Sequence, residues 1–217
     1  MNKITFIVIL VCITVVTCFQ VPNVTVEVRG EDEGCKAFKQ SFPDSKRVVQ
    51  EIVLRVIDLL YKNRDQAPDK GTVKVIVRPM DGVAYTANNE INFSSTYIAK
   101  VIPSGRVKEE MLGVLTHEMT HVFQYNVQVP GGLIEGIADF IRLRAGLAAP
   151  HWKKEHGGKW DAGYQKTAMF LDFVDKKRPE LVRDMNYSFR LRYQDSIWKK
   201  LTGKDVNANF DEYQKSF

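Results

Sequence analysis

The segment HEMTH at residues 117–121 constrains the fold of this chain more than any other feature. On an α-helix, residues four positions apart stand one above the other, so His117 and His121 can bind one metal ion together, with Glu118 beside them. In this arrangement two imidazoles hold zinc, and the glutamate between them accepts a proton from zinc-bound water. The segment therefore predicts a helix that carries part of a zinc site, with Glu118 as its general base.

The surrounding sequence indicates which face of that helix carries the histidines. From about residue 107 to 127, apolar side chains gather on one side when they are plotted at about 100° per residue. His117 and His121 fall on the other side, which argues against histidines that simply pack in a core. A polar face open to solvent remains the alternative to a metal site. The apolar set comprises Met111, Leu112, Val114, Leu115, Met119, Val122 and Phe123.

A catalytic zinc ion with two histidines needs a third protein ligand and leaves its fourth position for water. The next predicted helix, near residues 133–146, supplies one: Glu135 and Asp139 lie four apart, opposite an apolar stripe. We expect Glu135 to bind the metal and Asp139 to orient an imidazole through its far nitrogen. The alternatives are a favourable acid at a helix start for Glu135 and an ion pair with Arg142 for Asp139. The glycines of this segment predict a close approach to another part of the chain.

The order of these two motifs distinguishes between groups of zinc peptidases. HExxH followed by a helix with ExxxD resembles the gluzincin group. The metzincin pattern HExxHxxGxxH is absent, because Gln124 and Val127 stand where its glycine and third histidine belong.

The rest of the chain predicts an α+β fold with a mixed N-terminal sheet and a mainly helical C-terminal half. Alternation predicts strands at 23–28 and 72–78 and two short strands around an Asn-Asn turn within 83–95. A helix is predicted over 45–63 behind a serine cap, and the charged stretch EDEGCK before it is interpreted as a loop. Beyond residue 107 the pattern predicts helices near 107–127, 133–146 and 161–176, and shorter ones after Pro179.

The N-terminus predicts a secreted, extracellular protein. Residues 1–18 carry one early lysine, an apolar run and a plausible cleavage site, which is typical of a signal peptide, and residues 19–217 are then one domain. The apolar run is shorter than the roughly 20 residues that a bilayer needs, so no stable membrane anchor is expected. Lipid attachment at Cys18 is a weaker alternative, because Thr17 stands where a lipobox usually has a smaller residue.

Charge and cysteine content limit the binding partners and the disulfide bonds that are expected. Without residues 1–18 the formal net charge falls from +5 to +4, since only Lys3 is lost. The charges are scattered and form no arginine-rich stripe with aromatics, so no nucleic-acid partner is expected, whereas an acidic extracellular matrix is a compatible one. Cys35 is then the single cysteine, which excludes an intramolecular disulfide. Sequons at Asn23, Asn92 and Asn186 predict a glycoprotein if the chain follows a eukaryotic secretory route.

Four ordered blocks of sequence resemble the plant basic secretory protein family, also called peptidase of plants and bacteria. The blocks are MDGVAYTANNEI, GVLTHEMTHVFQ, PGGLIEGIADFIRLRAG and WDAGYQKTAMFLDF, and the similarity runs from about residue 24 to the end. The resemblance implies a zincin-like domain, an extracellular location, one zinc ion and a role in defence or matrix proteolysis. It assigns His117, Glu118 and His121, with Glu135 and Asp139, to the zinc site. Phe123 and Phe140 stand where plant members often have tryptophan and tyrosine.

Hydrolysis of protein or peptide substrates requires further groups. Tyr164 is the candidate donor to the oxyanion, with Tyr85, His151 and His156 as alternatives, and a packed core aromatic is the competing interpretation of Tyr164. An extended substrate is expected along an edge strand within 83–93, with Val83, Ala84 and Tyr85 as contacts. A glycan at Asn92 would crowd that groove, so we expect Asn92 to be unmodified or turned away.

Two other classes of function compete with the peptidase. The chain could be a secreted basic defence or binding protein whose zinc site is structural or vestigial. An intact Glu118 favours the enzyme, because a structural site needs no base. A carbohydrate- or wall-binding module rests on charge alone.

Overall fold

A four-stranded mixed sheet forms the N-terminal layer of the protein in the computed structural model, which describes residues 19–217. The strands are β1 (Asn23–Val28), β2 (Thr72–Arg78), β3 (Ala84–Ala87) and β4 (Glu90–Ser94). Their spatial order is β1-β2-β4-β3, with β1, β2 and β4 parallel and β3 antiparallel to β4 at the edge. The predicted signal peptide, residues 1–18, lies outside the described residues.

The β3–β4 hairpin turns on two asparagines, as predicted. Asn88 and Asn89 have φ angles of 50° and 61°. Asparagine tolerates this left-handed conformation better than most residues do, and two such residues in succession suit the twist of a tight hairpin. The turn leaves β3 with one edge unpaired within the described residues, beside the cleft described below.

Nine helices occur within the described residues, and most of them belong to the C-terminal half. They are α1 (Glu33–Ser41), α2 (Ser45–Leu60), α3 (Ser95–Val101), α4 (Val107–Phe123), α5 (Gly131–Arg144), α6 (Tyr164–Lys177), α7 (Leu181–Ser188), α8 (Ser196–Thr202) and α9 (Val206–Gln214). Short 3₁₀ turns cover Arg64–Gln66 and Ile102–Ser104. This composition confirms the predicted α+β class.

The helix α4 lies at the centre of this arrangement. It packs against α2 on one side, α5 on another and the strand β3 on a third. Its apolar residues, among them Met119 and Phe123, are buried in the core that the sheet and the helices share. Burial of this stripe stabilises the fold by roughly 1.5–3 kcal/mol for each large apolar side chain, and it leaves the opposite face of α4 to line a cleft.

Several predicted boundaries were wrong, and the causes are local. The stretch EDEGCK is not a loop: Asp32 accepts a hydrogen bond from the Cys35 amide at 3.1 Å and caps α1. Asp44, rather than Ser45, caps α2 by accepting from the Arg47 amide. The predicted strand region ends at Ser94, whose side chain caps the unpredicted helix α3. The charged and hydroxyl residues at these points therefore begin helices.

Several helix ends also differ from prediction, and α5 spans Gly131–Arg144 instead of residues 133–146. The helix α2 ends at Leu60 instead of residue 63, and α4 ends at Phe123 instead of 127 because Gln124 adopts an extended backbone. The helix α6 begins at Tyr164, three residues later than predicted. Within residues 19–217, no helix combines the length and apolar character needed to traverse a bilayer.

Candidate active site

Two neighbouring helices bring three potential metal ligands to the floor of one cleft. His117 and His121 lie one turn apart on α4, and Glu135 faces them from α5. The Nε2 atoms of the two histidines are 3.0 Å apart, and the Glu135 Oε2 atom is 3.2 Å from that of His117 and 3.4 Å from that of His121. The three donor atoms thus form a compact triangle that can hold one metal ion. Glu135 lies beyond the first turn of α5 and contacts both imidazoles, so it is more than a favourable acid at a helix start.

Asp139 lies where the sequence placed it, behind His117. Its carboxylate is buried, and its Oδ1 atom is 2.7 Å from Nδ1 of His117. A hydrogen bond from the Nδ1–H group to Asp139 keeps the imidazole in the tautomer that leaves Nε2 free to bind a metal. The predicted alternative, an ion pair between Asp139 and Arg142, is not formed, because Arg142 pairs with Glu110 at 2.8 Å.

Gln124 has the corresponding position behind His121, and sequence reasoning missed this role. Its Nε2 atom is 2.6 Å from Nδ1 of His121, while its buried Oε1 atom has no hydrogen-bond partner in the described part of the chain. When a metal occupies Nε2 of an imidazole, Nδ1 carries the proton and needs an acceptor. A 180° rotation of the Gln124 side-chain amide places Oε1 next to Nδ1 of His121, so Gln124 can support the metal-binding tautomer of His121.

In the folded protein, the charged groups of the site stabilise each other's ionised forms. Burial lowers the pKa of His117, but hydrogen bonds with Asp139 and Glu135 outweigh this and raise that pKa to about 9. Burial raises the pKa of Glu135, but hydrogen bonds from His117 and His121 outweigh it and lower that pKa to about 2. An imidazole must be neutral to bind a metal, so binding would release the His117 proton.

Glu118 lies beside the histidines and is 6% exposed. The hydroxyl of Thr86, on the edge strand β3, donates a hydrogen bond to Glu118 Oε2 at 2.7 Å and lies 3.1 Å from the Glu118 carbonyl. This contact fixes one carboxylate oxygen and ties β3 to the middle of α4. Thr86 lies in the block MDGVAYTANNEI, but the sequence offered no reason to single it out, because the contact joins segments 32 residues apart.

Tyr164 is not a packed core aromatic, since it is 59% exposed at the start of α6. Its ring stacks on the imidazole of His117, with 6.1 Å between centroids and 9° between planes. The negative charge of Glu135 and partial burial raise the pKa of its phenol, which therefore stays protonated and able to donate at neutral pH. Tyr164 also has a positive φ of 45°, so the backbone turns sharply where this ring enters the cleft.

Close packing against two glycines of α5 places Tyr164. A Cβ atom at Gly132 would overlap the carbonyl of Asp161, and one at Gly136 would overlap the side chain of Thr167. The buried Thr167 hydroxyl accepts from the Gly163 amide at 2.9 Å and donates to the Trp160 carbonyl at 2.9 Å. These contacts hold the segment before Tyr164 against α5, which confirms the close approach that the glycines predict.

The edge strand forms the other wall of a cleft of about 1200 Å³. Val83, Ala84 and Tyr85 line it, with Val83 40% and Tyr85 45% exposed. The unpaired edge of β3 can accept an extended peptide by main-chain hydrogen bonds. Asn92 is buried in β4, where its side chain bonds with Arg78 and Glu90. It does not line the cleft, although it is the direct partner of Tyr85 in the β3–β4 pairing.

The other candidate donors are less well placed. The Tyr85 hydroxyl accepts a hydrogen bond from Arg78 at 3.2 Å. His151 lines the cleft on the segment after α5, and His156 stacks on Phe217 with 4.4 Å between centroids. Among these four, only Tyr164 has a described contact with the imidazole of His117.

Comparison with known proteins gives a match to a family model. A family model described as BSP, peptidase of plants and bacteria, matches residues 21–213. The match covers all four strands and every residue of the site described above. No curated protein and no solved structure matches the chain.

Proposed function

The chain belongs to the family of peptidases of plants and bacteria, and from this premise we propose that it is a secreted, zinc-dependent peptidase. Its catalytic domain comprises residues 19–217, and residues 1–18 are the signal peptide. The family supports peptide substrates, and the residues of the cleft support the metal and the mechanism.

The triangle of donor atoms is the observation that carries the proposal. Three ligands that surround a tetrahedral zinc ion at about 2.0–2.1 Å lie about 3.3–3.4 Å from one another. The three separations among His117, His121 and Glu135 are 3.0, 3.2 and 3.4 Å. Two imidazoles and a carboxylate are also the donor set of many catalytic zinc sites, and the open cleft leaves room for water and substrate.

The side chains around this triangle divide the chemistry between them. Zinc, when bound, supplies a Lewis acid that activates water and polarises the scissile carbonyl. Glu118 accepts the proton of the attacking water and delivers it to the leaving amine. Tyr164 donates a hydrogen bond to the oxygen on which negative charge develops. Asp139 and Gln124 keep the imidazoles in orientation, and Thr86 keeps the Glu118 carboxylate in place.

Cleavage of casein and of a peptide library by the wild type and Glu118→Gln, with zinc content measured in both, tests the proposal. We expect Glu118→Gln to retain zinc and to lose about 10²–10⁴-fold in kcat, the usual contribution of general base catalysis. Glu109→Gln is the matched control, because Glu109 lies on the same helix and pairs with Arg106 on the surface. Equal activity in wild type and Glu118→Gln, or an inactive zinc-loaded wild type, would refute the peptidase mechanism.

A further inference from the structure

The cations that line the cleft differ in one respect. Arg142 is paired with Glu110 at 2.8 Å, and Lys166 is paired with Glu155 at 2.9 Å. Lys70, the third such cation, has no carboxylate within ion-pair distance in the described part of the chain. It is also partly buried, and this burial lowers its pKa. An ammonium group that is half removed from water without a counter-ion costs free energy, and an arriving carboxylate would offset that cost.

Lys70 lies at the end of the cleft that is next to the β3–β4 hairpin turn. Asn89, in the hairpin turn, donates a hydrogen bond to the Lys70 carbonyl at 3.4 Å. Four residues earlier, the Gln66 carbonyl accepts from the hydroxyl of Tyr125, which follows the C-terminal end of α4. Lys70 therefore stands where the edge strand β3 ends and beyond His121 along α4, whereas the Arg142–Glu110 pair lies toward the start of that helix.

We propose that Lys70 forms a subsite for an acidic side chain of the peptide substrate. This inference rests on the proposed peptidase function. Thr86 is the residue of β3 that lies opposite Glu118, and the turn residue Asn89 follows three positions later. A peptide paired with β3 advances about 3.3 Å per residue, so the aspartate or glutamate lies two or three residues from the cleaved bond. A chain-terminal carboxylate would carry the same charge, and the test separates the two.

The experiment compares peptides that share one cleavable core, have both ends blocked, and carry glutamate or glutamine at each of three positions on either side. The readout is the ratio of kcat/KM for each glutamate peptide to its glutamine twin, which cancels any general loss of activity. For the wild type we expect a ratio of about ten at one position, the effect of a partly desolvated ion pair. A preference seen only with an unblocked C-terminus would contradict an acidic side chain as the ligand.

Variants assign the preference to the lysine. Lys70→Met should bring the ratio to about one, and Lys70→Glu should bring it below one. Lys166→Met is the matched control, because Lys166 lines the same cleft but is already neutralised, and it should keep the wild-type ratio. Thermal unfolding of each variant verifies that the fold is retained. A wild-type ratio of one at every position, or a ratio that survives in both Lys70 variants, would overturn the proposal.

Binding separates this inference from the proposed function. The same peptides, labelled with a fluorophore, are titrated against zinc-loaded Glu118→Gln with and without Lys70→Met. A preference for glutamate that disappears with Lys70→Met supports the subsite even if the wild type cleaves none of the peptides, an outcome that refutes only the peptidase mechanism. If Glu118→Gln binds the glutamate and glutamine peptides equally, the subsite is overturned, and any observed cleavage still supports the peptidase function.

Discussion

The floor and the rim of the cleft are built in different ways. On the floor, formed by the cleft-facing residues of α4 and α5, Glu118, Asp139 and Gln124 are buried, and each contacts another polar side chain. On the rim, formed by Val83–Ala87 and Tyr164, several large side chains are exposed. A pre-formed floor can hold a metal before substrate arrives, whereas an exposed rim gains its contacts from the substrate. Variants of the three candidate ligands and of the side chains that hold their imidazoles should therefore change metal binding, whereas rim variants should change rate or selectivity at unchanged metal content.

The largest effect is expected on the floor, from Glu135→Gln. The substitution removes the charged ligand and leaves two imidazoles, so zinc affinity should fall by more than about 100-fold and activity with it. Competition with a zinc chelator measures the affinity. Glu51→Gln, at an exposed glutamate of α2 that pairs with Arg47, is the control and should bind zinc like the wild type. Unchanged zinc affinity in Glu135→Gln would remove Glu135 from the site.

Tyr164→Phe tests the rim. Loss of one donor to a developing oxyanion typically costs about 10²–10³-fold in kcat, and we expect about 100-fold with full zinc content. Steady-state kinetics on zinc-saturated protein provides the measurement. Tyr85→Phe, the same deletion at another rim tyrosine, is made in parallel. A larger fall in kcat for Tyr85→Phe would transfer the donor role to Tyr85, and a loss of zinc from Tyr164→Phe would break the division between rim and floor.

The two histidines offer a comparison within the floor itself. Asp139→Asn should weaken zinc binding by about 10–100-fold, as is usual when the partner of a ligand imidazole is removed. Gln124→Leu should cost about tenfold, because a neutral amide supports its imidazole less strongly than a carboxylate does. Gln124→Glu restores an acceptor and should recover the affinity. If Gln124→Leu binds zinc as tightly as the wild type, His121 does not depend on this contact.

The smallest effect is expected from Thr86→Val, where rim and floor meet. A hydrogen bond to a charged group is worth about 1.5–3 kcal/mol, and we expect roughly a tenfold fall in kcat because only part of this acts on the transition state. Thr86→Ser keeps the hydroxyl and should retain most of the wild-type kcat. Zinc content should be equal in both variants. A normal kcat in Thr86→Val would show that Glu118 needs no support from the edge strand.

The residues expected to bind metal could be predicted from sequence because each motif lies within one helix. The spacing of His117 and His121, and that of Glu135 and Asp139, places each pair on one helical face. The contacts of Thr86 with Glu118 and of Lys70 with the hairpin turn join separate elements. Local periodicity contains no information about such contacts. Gln124 is the intermediate case, since its distance of three residues from His121 could have suggested a contact.

For the fold, too, prediction succeeded where the signal is local in sequence. The α+β class and the Asn-Asn hairpin follow from alternation and turn chemistry, which are local. The helix α1 was missed because its charged start was interpreted as a loop, although Asp32 three residues before Cys35 is a helix-capping position. The helix α3 has seven residues and only two buried ones, Ser95 and Ile98, too few to create a recognisable apolar stripe.

Gly132 and Gly136 extend the comparison to mutational tolerance. Neither glycine can contribute a side chain to metal or substrate, yet a larger residue at Gly132 would collide with Asp161 before Tyr164, and one at Gly136 would collide with Thr167 after it. Most bulky replacements at these two positions would move the phenol away from His117 while leaving all three proposed metal ligands intact. During evolutionary drift the proposed activity is therefore vulnerable at two positions that perform no chemistry, and a lineage could lose it there and still keep the three candidate metal ligands.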